Sequence, residues 1–441
     1  MLKTRQALLV VFFLFITQIA IGGEAPAKAG IASAHPLATQ AGFEILNQGG
    51  NAFDAAVAVS AALAVVEPSG SGLGGGGFWL LHRAEDGFQT MVDGREKAPS
   101  AAHRDMYLDA NGKFDKSLSL NGPLAAGIPG VPAALDHLSK HYGRLPLKQT
   151  LAPAIRLAQQ GFEVTKRYQQ LVGIRINTLK LSPEAAATFL DNGHIPQLGQ
   201  LIIQPNLANT LEQIAQQGRA GFYQGLVAEK LVSGVQQGGG IWTQQDLLDY
   251  QIKERSPITG QYHGYNITSA APPSSGGIAI MSILNQLEQL PFDQATPTQK
   301  KHFLVEAMRR AYFDRSRYLG DSDFVDVPTQ KLTSKDYAKT LVASIDPDKA
   351  SMSINLVGAA TAKGEDTTHF SIIDNEGNRV SATLSINYPF GSAFVPEGTG
   401  VLLNDEMDDF SAQMGAANVY GLVGNEANAI EANKRPLSSM S

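Results

Sequence analysis

The chain has 441 residues, is 43% hydrophobic and 17% charged, and carries a formal net charge of −6. This is the composition of a folded globular protein, long enough for one large domain or two to three ordinary ones, with no basic footprint for nucleic acid or an anionic membrane. It contains no cysteine, which excludes disulfides, thiolate nucleophiles and cysteine-ligated metals together.

Lys3 and Arg5 precede an apolar run over residues 7–21, broken only by Thr17 and Gln18, and small residues follow at Ala20, Gly22 and Gly23. This layout predicts a secretory signal peptide over residues 1–22; the run is short for a membrane span. The mature protein is therefore expected to be periplasmic or secreted, with no stable anchor. Residues 36–66 predict helix. Pro36 opens the first run, Gly49-Gly50-Asn51 punctuates it, and Asp54 falls in the first turn of an Ala- and Val-rich second helix, where negative charge suits the dipole. A glycine cluster fills 70–77, and residues 78–81 and 90–92 predict strands.

From 133 to 345 the pattern is mostly helical, with apolar residues at helical spacing in 152–160, 207–217, 277–287 and 302–318. Pro272-Pro273-Ser274-Ser275-Gly276-Gly277 marks a turn inside it. Residues 351–366 are polar and small and predict an exposed loop or linker. Strand resumes from Thr368 to 373, a hairpin turn covers 374–378, and 380–387 alternates strictly. Val380, Ala382, Leu384 and Ile386 face one way; Ser381, Thr383, Ser385 and Asn387 line the other with hydroxyls and an amide.

Gly70-Ser71-Gly72-Leu73-Gly74-Gly75 matches G-x-G-x-x-G, but a helix precedes it and a strand follows. A dinucleotide site needs the reverse order, so a close-packing turn is expected instead. No Walker A, H-E-x-x-H or G-x-S-x-G string occurs, and the nine His lack metal-ligand spacing. The informative stretch is Asp366-Thr367-Thr368-His369-Phe370-Ser371. A Thr pair before a strand is common in ordinary sheets. The exposed approach over 351–366 and the hydroxyl-lined neighbouring strand are compatible with a nucleophile here without specifying one.

From about residue 32 to 441 the chain resembles the γ-glutamyltranspeptidase (glutathione hydrolase) family of N-terminal-nucleophile hydrolases. The matching strings are Gly49-Gly50-Asn51-Ala52-Phe53-Asp54-Ala55-Ala56, the 74–77 glycines, Asp93-Gly94-Arg95-Glu96-Lys97-Ala98-Pro99, the 272–277 turn, the 366–371 string, Met407-Asp408-Asp409-Phe410-Ser411 and Arg435-Pro436-Leu437-Ser438-Ser439-Met440. The resemblance implies an α+β fold, a four-layer αββα sandwich. It implies self-cleavage between Asp366 and Thr367 into a large subunit, 23–366, and a small one beginning at Thr367, held as a heterodimer. Thr367 is then the nucleophile.

A Thr hydroxyl is a poor nucleophile without a base, and cleavage supplies one: an α-amine with a reference pKa of about 7.7–8.0. By resemblance, Arg95, Ser438 and Ser439 bind the α-carboxylate of a γ-glutamyl donor such as glutathione. Asn387, Glu406 and Asp409 receive its α-ammonium, and Ser385 orients the nucleophile in place of a family Thr. The γ-glutamyl ester on Thr367 passes to water or to an amino acid or dipeptide, with no cofactor. Residues 411–430 resemble a loop covering the pocket. Without the resemblance, Arg95 reads as a surface partner of Glu96, and Asp408-Asp409 as a solvated turn.

Relatives continue past the position of Ser441 with elements that include a Gly-Gly oxyanion hole, so a fragment of a longer reading frame is expected. Two rivals stand beside γ-glutamyl chemistry. One is a cephalosporin or glutaryl acylase of the same fold; the other is a non-catalytic, unprocessed binding protein. The ammonium-binding set favours the first reading.

Overall fold

The computed structural model describes residues 26–109, 111–352, 367–413, 417–424 and 426–441. The predicted leader, most of the 351–366 loop and Asp366 lie outside the described residues.

Ten strands are described: β1 (Gly30–Ala32), β2 (Gly76–His82), β3 (Gln89–Asp93), β4 (Phe162–Glu163), β5 (Leu201–Ile202), β6 (Lys253–Arg255), β7 (Ile258–Tyr262), β8 (Tyr265–Ser269), β9 (Thr367–Ile373) and β10 (Arg379–Ser385). Six form one antiparallel sheet in the order β1-β9-β10-β2-β3-β6. Strands β7 and β8 make a separate hairpin, and β4 and β5 a short pair.

The alternation of side chains along the strands decides what covers each face. Trp79, Leu81, Val92, Phe370, Ile372, Val380, Ala382 and Leu384 pack into the main core against the helix Ala52–Val66. That helix is buried along its whole length, which suits its run of small side chains. Asn51 caps it by accepting from the amides of Phe53 and Asp54, while Asp54 accepts from the Asn51 amide. This is the reciprocal capping box, typically worth about 1 kcal/mol for the cap residue.

On the opposite face Phe78 and Met91 join Ile258, Ala270, Ile278 and Met281 in a second cluster. The β7–β8 hairpin and the helix Gly276–Leu287 therefore lie there, backed by the helix Pro297–Tyr318. The layers run helix, sheet, hairpin, helix, as the αββα expectation requires, with two strands in the second β layer among the described residues. No described helix is long and apolar enough to cross a membrane.

The helices Pro36–Asn47, Leu147–Gln160, Pro205–Gln217, Gly276–Leu287 and Pro297–Tyr318 answer the helical expectations. The reading of 133–345 as mostly helix missed β4, β5, β6, β7 and β8. Those strands are short, and the exposed positions of Lys253, Glu254, Tyr265 and Asn266 carry no apolar alternation. The glycine cluster is a close-packing turn, as expected. A Cβ on Gly74 would sit 2.1 Å from the Leu402 carbonyl oxygen, and one on Gly75 2.2 Å from that of Ser385.

Candidate active site

Register places the candidate nucleophile. Strands β9 and β10 pair so that Thr367 stands opposite Ser385, at the end of the sheet where β2 begins at Gly76 and β3 runs out toward Arg95. Along β9, Thr368, Phe370 and Ile372 are buried toward the helical face while Thr367 is exposed on the other. Thr367, Ser385, Arg95, Asn387, Glu406, Asp409, Ser438 and Ser439 all line one cavity of about 430 Å³. Every predicted site residue that is described thus meets in one place.

Each arrives by a local device. The Arg95 amide donates to Asp93 Oδ1 at the end of β3, and its Nε donates to the Pro436 carbonyl. Asn387 follows β10 with a φ of 71°, a left-handed conformation that Asn tolerates. Its amide donates to Ser385 Oγ at 2.8 Å, and its Nδ2 to the Asp405 carbonyl at 3.0 Å. Glu406 and Asp409 stand on a 3-10 turn, Glu406–Asp409. Ser438 bridges to Ser274 in parallel, its amide donating to the Pro273 carbonyl at 2.8 Å.

Two residue-only readings are corrected. Arg95 is no surface partner of Glu96: it is 1% exposed, and Glu96, at 3.7 Å, is the longest of its three carboxylate contacts. Its Nη1 lies 2.7 Å from Glu406 and its Nη2 2.6 Å from Asp409. Nor is Asp408-Asp409 a solvated turn. Asp408 is buried and accepts from Ser119 Oγ and the Val419 amide, both at 2.7 Å.

One guanidinium thus faces three carboxyls. Burial, reinforced by repulsion among them, holds Glu96 and Glu406 above the usual carboxylate range despite the attraction of Arg95. Burial likewise pushes Asp408 up to about 6.

The cavity has further walls. Tyr420 and Leu422 line it, from the segment expected to cover it. The Tyr420 hydroxyl donates to the Asn387 carbonyl at 2.8 Å, and Asn418 Nδ2 donates to Asp409 Oδ1 at 2.8 Å. Thr383 and His369, also lining it, hydrogen-bond at 2.8 Å. Neither is a site residue that the family resemblance implies, although the hydroxyl row on β10 contains Thr383. Glu67, at the end of the Ala52–Val66 helix, was missed altogether. It accepts from the Thr368 hydroxyl, beside the candidate nucleophile, and burial raises its pKa. A lone acid after a helix gives no signal in sequence.

Solved structures of similar fold set the class. The chain superposes on a cephalosporin acylase from Bacillus halodurans with a TM-score of 0.81 at 29% identity, covering 94% of this chain and 74% of that one. It superposes on the γ-glutamyltranspeptidase of Helicobacter pylori with a TM-score of 0.72 at 42% identity, covering 74% of this chain and 94% of that one. These are α+β N-terminal-nucleophile hydrolases. Within that class the chain belongs to the γ-glutamyltranspeptidase family, whose model matches residues 38–441. A glutathione hydrolase proenzyme from Pseudomonas sp. (strain A14) is 45% identical over 415 residues, spanning 93% of this chain and 72% of that protein.

Proposed function

We propose that this protein is a self-cleaving γ-glutamyl hydrolase and transferase that breaks the γ-glutamyl amide of glutathione and related compounds. The observation that carries this is the pairing, in one cavity, of the exposed Thr367 hydroxyl with a guanidinium and two carboxylates. A γ-glutamyl group ends in a carboxylate and an ammonium on one carbon, and the cavity offers the complement of both. The acylase reading gives Glu406 and Asp409 no cation to receive.

Cleavage between Asp366 and Thr367 frees the Thr367 α-amine and divides the chain into a large subunit, 23–366, and a small one beginning at Thr367, which stay together as a heterodimer. The β10–β2 and β9–β1 ladders support that, because they knit the second subunit into the sheet of the first. The amine takes the hydroxyl proton as Thr367 Oγ attacks the γ-carbonyl carbon. The C–N bond breaks, the departing amine takes the proton, and a γ-glutamyl ester remains. Water releases glutamate from it, or the amine of an amino acid or dipeptide takes the γ-glutamyl group; either way the Oγ–H is restored.

Arg95, Ser438 and Ser439 hold the donor carboxylate, and Asn387, Glu406 and Asp409 its ammonium. Ser385, opposite Thr367 in the ladder, orients the nucleophile. The apolar run after Lys3 and Arg5 supports export to the periplasm or beyond.

The test is intact mass spectrometry of purified protein beside hydrolysis of γ-glutamyl-p-nitroanilide. The proposal requires a product chain beginning at Thr367, activity in the cut form, and loss of both in Thr367→Ala. A single uncut chain that hydrolyses nothing sinks it.

A further inference from the structure

Behind the two cavity serines lies a second buried guanidinium that the chemistry above does not use. Arg315, near the end of the helix Pro297–Tyr318, is 5% exposed. Its Nε donates to Ser275 Oγ at 3.1 Å and its Nη2 to Ser439 Oγ at 3.1 Å. Among the described residues it makes no ion pair with a carboxylate. Arg95, by contrast, is surrounded by three. Asp409, already paired with Arg95, attracts Arg315 without forming an ion pair with it, and a buried cation hydrogen-bonded only to hydroxyls is costly unless its charge is used.

The donor and acceptor inventory shows how it is used. A guanidinium has five N–H donors and no acceptor, and it stays charged. Ser439 Oγ can therefore only accept from Arg315. Ser275 Oγ also accepts from Arg315 and sends its own proton to the Ser438 carbonyl at 2.8 Å. The Ser275–Ser439 oxygen separation, 3.5 Å, is at the outer limit of a hydrogen bond. The Ser439 proton has no acceptor among the described residues, and Ser439 lines the cavity. Arg315 thus fixes Ser439 as a donor into the cavity, polarised by a positive charge behind it. Such a hydroxyl selects an anion.

We infer that Arg315 is a positioning residue for the γ-glutamyl donor, aligning Ser439 to hydrogen-bond the donor's α-carboxylate and lending that anion a second positive charge. This rests on the γ-glutamyl reading of the site. Ser275 extends the device: its amide and hydroxyl both meet the Ser438 carbonyl, which holds the serine pair in register with the 272–277 turn. That gives the Pro272-Pro273-Ser274-Ser275 string a role beyond turning the chain.

The test compares two chromogenic donors in the full-length protein. One is γ-glutamyl-p-nitroanilide; the other is 4-aminobutyryl-p-nitroanilide, which keeps the amine and lacks only the α-carboxylate. In Arg315→Met, KM for the γ-glutamyl donor should rise about ten- to a hundredfold, the worth of a hydrogen bond to a charged group, with a much smaller change in kcat. The preference for the γ-glutamyl donor over the 4-aminobutyryl donor should fall by the same factor. Arg315→Lys should recover part of it, and Arg315→Met/Ser439→Ala should be no worse than the more damaging single variant.

An unchanged KM, an equal loss on both donors or additive single effects would overturn the inference. If Arg315→Met does not accumulate as folded, cut protein, Arg315→Lys carries the same comparison, with a lowered donor preference required. If the unsubstituted protein hydrolyses neither donor, the γ-glutamyl reading fails separately. Calorimetry with L-glutamate and 4-aminobutyrate then decides: a preference for glutamate that Arg315→Lys weakens supports the role, and equal binding rejects it.

Discussion

Replacing Asp408 by Asn should alter how stability depends on pH, by an amount the structure sets. Asp408 lies under the segment that walls the cavity and binds the Ser119 hydroxyl and the Val419 amide. Burial, reinforced by repulsion from Asp409, lifts its pKa from 3.8 to about 6, against the pull of those two bonds and of Lys116. A carboxyl whose pKa is raised on folding favours the folded state at low pH and loses that advantage as pH climbs from the unfolded pKa to the folded one. The rise corresponds to about 3 kcal/mol in all, of which about 2 kcal/mol falls between about pH 4.5 and pH 7.5. Asn cannot titrate. The stability of the unsubstituted protein minus that of Asp408→Asn should therefore drop by about 2 kcal/mol over that interval. Any constant offset from losing one acceptor does not matter. Urea denaturation of both proteins across the range measures it. Parallel pH profiles would refute the reasoning, because Asp408 would then carry the same pKa folded and unfolded.

Two further substitutions probe the frame of the site. Gly75→Ala should cost most of the activity and about 1–3 kcal/mol of stability, because its Cβ would press on the Ser385 carbonyl and move β10, read from KM, kcat and thermal midpoint. Thr368→Val should cost about 1–3 kcal/mol near neutral pH by leaving the Glu67 carboxylate without its donor. The loss should shrink as Glu67 is protonated at low pH, and a pH-independent loss in urea titrations would point to packing instead.

The elements that position the site were largely legible in the sequence, for physical reasons. Asn51 and Asp54 mark a helix start, and the strict alternation of 380–387 marks a strand with one buried face. The short strands between 253 and 269 were not: β6 is charged throughout, the alternation of β7 spans only five residues and is broken by Gly260, and β8 opens on two exposed side chains. The site residues were legible only through family resemblance: Arg95 and Ser439 lie far apart in the chain, and no spacing rule joins them. What even the resemblance left out is the arrangement of charge. It assigned Arg95 to a carboxylate and Glu406 and Asp409 to an ammonium, but these groups are paired with one another across the cavity. Glu67 and Arg315 were illegible because each acts through a neighbour, Thr368 in one case and Ser439 in the other.

That internal pairing explains why the cavity should demand a zwitterion. An incoming α-carboxylate must take Arg95 from Glu406 and Asp409. A γ-glutamyl donor brings an ammonium to replace it, so each broken ion pair is exchanged for another and the buried charge does not change. A glutaryl donor brings the carboxylate alone and leaves the two carboxyls without a cation. Stripping one partner from a buried pair costs about 3–5 kcal/mol, or roughly a hundred- to several-thousandfold in binding. Glutaryl-p-nitroanilide should therefore have a kcat/KM lower than γ-glutamyl-p-nitroanilide by about that factor. The gap should narrow as pH falls, because Glu406, with its raised pKa, then neutralises itself with a proton. Comparable rates on the two donors, or a gap that does not change with pH, would mean that the carboxylates beside Arg95 do not select the donor, and would return the glutaryl acylase reading to contention.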